Sequence, residues 1–87
     1  MADEAFDVVI PLELEAGVWA ERLNGWFTAD GIVLDFIAQG VDQALLTSRV
    51  RVPATAALEI RRALAEVIGE YELQYGEIRS PRQRGDE

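Results

Sequence analysis

Ile32-Val33-Leu34-Asp35-Phe36-Ile37-Ala38-Gln39 alternates along its whole length, with Ile32, Leu34, Phe36 and Ala38 on one side and Val33, Asp35 and Ile37 on the other. A period of two marks a β-strand, and both sides of this one are apolar except at Asp35. Working outward, Gly40-Val41-Asp42-Gln43 is a polar connection, and Leu45–Val52 alternates again, Leu46, Ser48, Val50 and Val52 against Leu45, Thr47, Arg49 and Arg51. The run stops at Pro53, and from about Ala54 the period becomes that of a helix. Ile60, Leu64, Val67, Tyr71, Tyr75 and Ile78 recur every three or four residues and lay one apolar stripe along it. Thr55 is the expected N-cap, Glu59 sits in the first turn, and Gly76 is the expected stop. Glu66 and Arg62 are placed to pair at i,i+4.

Toward the N-terminus, Val18–Thr28 also alternates, with Trp19, Leu23 and Phe27 opposed to Val18, Ala20, Arg22 and Trp26. Asn24-Gly25 within it is the dipeptide that tight hairpin turns prefer. A turn there would strand Trp26-Phe27-Thr28, so a bulge or kink is the preferred reading, with Ala29-Asp30-Gly31 as the turn. Phe6–Leu14 alternates as well and is expected to be a strand, at an edge or cut short because Pro11 cannot donate to a ladder. Short links between strands favour antiparallel pairing. The expected fold is therefore α+β: a four-stranded antiparallel meander followed by one long C-terminal helix packed on one sheet face. Residues 6–78 form the domain, with a flexible N-terminus over 1–5 and a disordered polar tail over 79–87.

Composition narrows the chemistry. The chain has 87 residues, 16 acidic and 8 basic, with net charge −8, and it contains no Cys and no His; all eight basic residues are Arg. Disulfides, thiolate nucleophiles, imidazole bases, zinc-thiolate sites and lysine Schiff bases are excluded. Residues 1–47 hold nine acids against Arg22 alone, while residues 48–87 balance seven against seven. An acidic half of that kind disfavours nucleic acid and leaves either simple solubility or attraction to a basic partner. No apolar run is long enough to span a membrane, and the acidic start, Met1-Ala2-Asp3-Glu4, is unlike a signal peptide. The sequence reads as cytoplasmic.

No hydroxyl lies in an activating motif such as GxSxG or SxxK, and no oxygen-rich loop for Ca²⁺ or Mg²⁺ is present. No cofactor is expected. Asp35 could be a general acid or base, or it could pair across strands with Arg22, Arg49 or Arg51; the pairing is preferred. With one helix to cover one sheet face, the other face, carrying Val9, Val18, Ala20, Trp26, Val33 and Ile37, is expected to meet another chain, or else a sheet edge does. Of Trp19 and Trp26, one should be core and the other an interface anchor.

The ordered set Gly17-Val18-Trp19-Ala20, Ile32-Val33-Leu34-Asp35-Phe36, Arg49-Val50-Arg51-Val52 and Tyr71-Glu72-Leu73-Gln74-Tyr75-Gly76-Glu77-Ile78 resembles a small bacterial and archaeal domain-of-unknown-function family with the pattern GVYAN, FVLDF and YExxFGEI. The resemblance implies no activity. It implies that Gly17, Trp19, Asp35, Phe36, Tyr71, Glu72, Tyr75 and Gly76 are structural signatures. Glu21 stands where the family has Asn, and Thr55-Ala56-Ala57 replaces its Ser/Thr-Pro-Glu helix start. The expected topology also resembles the subunit of SecB-type chaperones. Three functions are thus compatible with the sequence: a self-associating adaptor or scaffold, a holdase for unfolded chains, and a carboxylate hydrolase using Asp35, of which the first, a homodimer or higher homo-oligomer without catalytic activity, is preferred.

Overall fold

The computed structural model describes residues 7–79, and its core element is the strand on which the sequence reading rests. Gly31–Gln39 (β2) lies between Arg22–Thr28 (β1) and Ala44–Val52 (β3), all antiparallel, in the order β1-β2-β3. Ala54–Tyr75 (α1) follows. Phe6 and the ends over 1–5 and 80–87 lie outside the described residues.

The sheet has three strands, not the expected four. Residues 7–11 take no regular structure, and Leu12–Leu14 is a single 3-10 turn. Pro11 is the physical reason. It has no N–H to offer a neighbouring strand, and its carbonyl instead accepts the Leu14 amide at 2.9 Å and starts the turn. Alternation alone does not make a strand when the middle residue cannot join a ladder. β1 is likewise shorter than expected, beginning at Arg22, and Asn24-Gly25 is neither turn nor kink: Asn24 pairs with Asp35 and Gly25 with Leu34 in unbroken register.

The irregularity falls instead between Phe36 and Ile37. Phe36 pairs with Ser48 and Ile37 with Leu46, leaving Thr47 as the extra residue, whose hydroxyl donates to the Phe36 carbonyl at 3.1 Å. The bulge exchanges two leucines: Leu46 joins Ile37 on one face and Leu45 joins Ala38 on the other. Ala29-Asp30 closes the first hairpin. At its end Gly31 has φ +152°, and a Cβ there would collide with the Val52 carbonyl oxygen.

The helix is also not packed on the sheet. β3 ends at Val52 and α1 begins at Ala54, so Pro53 alone joins them. Pro53 is the N-cap, at φ −65° and ψ 155°, and its carbonyl accepts the amides of Ala56 at 3.0 Å and Ala57 at 3.3 Å. Thr55 is inside the helix and makes no cap bond. Ala56 and Ala57 are half-buried, but from Leu58 onward every helical residue except Glu72 is exposed. α1 therefore leaves the sheet after its first turn. It ends as expected at Gly76, φ +100°, whose amide donates to the Glu72 carbonyl at 2.9 Å.

Candidate interaction surface

Register assigns the faces. One face carries Arg22, Asn24 and Trp26 from β1, Val33, Asp35 and Ile37 from β2, and Leu46, Arg49 and Arg51 from β3. The opposite face carries Leu23, Gly25 and Phe27, then Ile32, Leu34, Phe36 and Ala38, then Leu45, Ser48, Val50 and Val52, with no charge among them.

The charged face is closed by its own side chains. Asp35 is 5% exposed and Val33 is 1% exposed, the one apolar side chain fully buried among the described residues. Directly across from Val33 stand Trp26 on β1 and Arg51 on β3, and across from Asp35 stands Arg49. Arg49 grips the Asp35 carboxylate with two bonds, Nε to Oδ1 at 2.6 Å and Nη2 to Oδ2 at 2.9 Å. The Trp26 indole donates to Oδ2 at 3.0 Å, and the Arg49 guanidinium carbon lies 5.5 Å from the centre of the Trp26 ring. One residue from each strand thus meets in a single cluster. The bonds from Arg49, then that from Trp26, hold the Asp35 carboxyl below its ordinary pKa against the opposing effect of desolvation. An ionised carboxylate with its lone pairs taken by Arg49 and Trp26 has no proton to give and little basicity to take one.

Glu21 fastens the end of this face. Its amide donates to the Ile37 carbonyl at 2.9 Å, while its carboxylate accepts the Gln39 amide at 2.7 Å and the Trp19 indole at 3.3 Å. These two bonds, the backbone one first, lower its pKa.

The six residues expected at an interface do not come together. Trp26, Val33 and Ile37 share the charged face, with Val33 buried beneath its neighbours; Val9 and Val18 lie off the sheet and are exposed; Ala20 precedes β1 and is half-buried. Neither tryptophan is core: Trp19 is 74% exposed and bonded only to Glu21, and Trp26, 38% exposed, closes the ion pair. The C-terminal signature residues act locally. The Tyr71 and Tyr75 rings meet at a 45° tilt with centres 4.9 Å apart, and the Glu72 carboxylate accepts the Ile78 amide at 3.0 Å, tying down the chain beyond Gly76. Gly17 turns at φ +76°, and Phe36 is half-buried on the uncharged face.

What the structure leaves open is the surface that the sequence reading gave to the helix. Leu23, Phe27, Leu45 and Val50 on the uncharged face are exposed, Phe27 at 81%. Along α1, Ile60, Leu64, Val67, Tyr71 and Tyr75 are exposed too. The absence of charge from one whole side of the sheet was readable in the sequence; that the helix would not cover it was signalled only by the single residue between Val52 and Ala54. An open hollow of about 480 Å³ at the β1–β2 turn, bounded by Trp26, Phe27, Ile32 and Ala54, has Asp30 as its one ionisable wall residue. Among the described residues no three acidic side chains gather as a metal site, and no helix is long and apolar enough to cross a membrane.

Comparison with protein-family models, curated proteins and solved structures found no match.

Proposed function

We propose that this chain is a non-enzymatic, self-associating module for protein–protein interaction, an adaptor or scaffold. The observation that carries this reading is the pair of open apolar surfaces, a charge-free sheet face and a helix stripe, on a domain whose described residues include one fully buried apolar side chain, Val33. A domain this small is marginal even when its core is closed. Joining copies supplies the missing burial, and contiguous apolar surface of this extent marks an interaction site. The state of Asp35 supports the non-enzymatic part: held ionised by Arg49 and Trp26, it is poorly suited to general acid or base work.

A holdase is the second reading, favoured by the same uncharged face lying beside the edges of β1 and β3, which could take an extended peptide as an added strand. Two assays separate them. A tagged copy co-expressed with an untagged one should retain it through purification. If it does not, and the protein at stoichiometric amounts suppresses aggregation of unrelated unfolded proteins, the holdase reading replaces self-association.

A further inference from the structure

We propose, resting on the self-association above, that the partner is a second copy engaged by helix exchange: α1 of each copy lies across the charge-free sheet face of the other.

The first reason is the join. Loops between a strand and the following helix usually run about two to six residues when the helix folds back on its sheet. Here there is one, Pro53, with φ fixed by its ring and its carbonyl already bonded to the first helical amides. The chain has no slack with which to lay Leu64, Val67 or Tyr71 on its own Leu34 or Phe36. A short, stiff hinge between an element and its natural docking surface is the condition under which identical copies exchange that element.

The second reason is fit. α1 has 22 residues, about 33 Å at the rise of an α-helix, and β2 and β3 have nine each, about 30 Å at the rise of a strand. The two surfaces match in length as well as in character. The docking face offers no charge to leave buried and unpaired, whereas the opposite face is already occupied by Arg22, Asp35, Arg49 and Arg51.

The third reason is area. Taking about 200 Å² for a fully exposed large side chain, the exposed parts of Ile60, Leu64, Val67, Ile68, Tyr71 and Tyr75 come to about 600 Å², and those of Leu23, Phe27, Leu45 and Val50 to about 450 Å². Two reciprocal contacts related by a twofold axis would remove on the order of 2,000 Å² in all, the size of an obligate homodimer interface.

The chain has no cysteine, so single thiols report contacts without background. Full-length Leu64→Cys and Leu34→Cys chains, the second replaceable by Leu45→Cys if it folds poorly, would be unfolded together, refolded as a mixture and treated with a bismaleimide spanning about 10 Å, the separation of packed layers. The mass of the uncrosslinked mixture would be read in parallel. Exchange predicts a dimer and a crosslinked species joining position 64 of one chain to position 34 of the other, identified by peptide mass. A dimer that crosslinks only between like positions, or not at all at either sheet position, overturns helix exchange while leaving self-association standing. A folded monomer overturns both. An intramolecular link in a Leu34→Cys, Leu64→Cys double variant that remains monomeric would show that the helix folds back on its own sheet and would also overturn the exchange.

Discussion

Leu64→Glu separates a solvent-facing helix from a docked one. Leu64 is 54% exposed and lies midway along the stripe of α1, beyond the first turn where the helix touches its own sheet. Glu and Leu have nearly the same helix propensity, so in a chain that stays single the change should move stability by no more than about 0.5 kcal/mol. In an assembly the exposed part of Leu64, on the order of 100 Å², becomes buried, and losing it removes about 2.5 kcal/mol per copy at 25 cal/mol/Å². Two copies lose about 5 kcal/mol, which corresponds to a roughly 10⁴-fold weaker dimer. A carboxylate driven into an uncharged surface adds to that. Leu73 supplies the control: nine residues from Leu64, it points to the opposite side of the helix and is 90% exposed. Sedimentation velocity over a range of concentrations should show Leu64→Glu dissociating where wild type and Leu73→Glu remain associated. Equal behaviour of the two variants would refute an interface on this stripe.

Asp35→Asn tests the ion pair through pH. A folded-state pKa below the unfolded one means that the carboxylate contributes stability above the unfolded value and that this contribution is lost as pH falls through the folded value. The variant should therefore melt at a lower temperature than wild type at pH 7, and the difference should shrink as the pH drops below about 4; a difference independent of pH would assign the loss to packing. Gly31→Ala should cost about 1–3 kcal/mol by denaturant titration, because a Cβ at φ +152° meets the Val52 carbonyl and pushes β3 from the hairpin turn. A neutral result there would mean that the turn relaxes without disturbing the sheet.

The central strand, β3, the helix and its glycine stop were legible because each depends on local pattern: alternation in Ile32–Gln39, a change of period after Pro53, φ > 0 at Gly76. The Arg62 side chain also bonds Glu66, at 3.0 Å, as its spacing foretold. Residues 7–14 misled because alternation encodes which side would be buried, not whether a neighbour exists to pair with, and Pro11 withdraws a donor in the middle of the run. Asn24-Gly25 misled for the converse reason: cross-strand pairing with Asp35 and Leu34 overrode a strong turn preference. The bulge at Phe36/Ile37 left no trace in the alternation of β2 and moved Leu46 to the charged face. The charge-free sheet face was expected to lie under the helix on one assumption, that a lone amphipathic helix must cover its own sheet. With Pro53 as the entire connection, it does not.

The most direct test is the mass of the folded wild-type chain by sedimentation equilibrium, from micromolar to hundreds of micromolar, with circular dichroism on the same samples. Helix and sheet signals present together with a mass of twice 9.7 kDa or more are expected. A folded 9.7 kDa species at every concentration would contradict the claim that the open sheet face and helix stripe join copies of this chain.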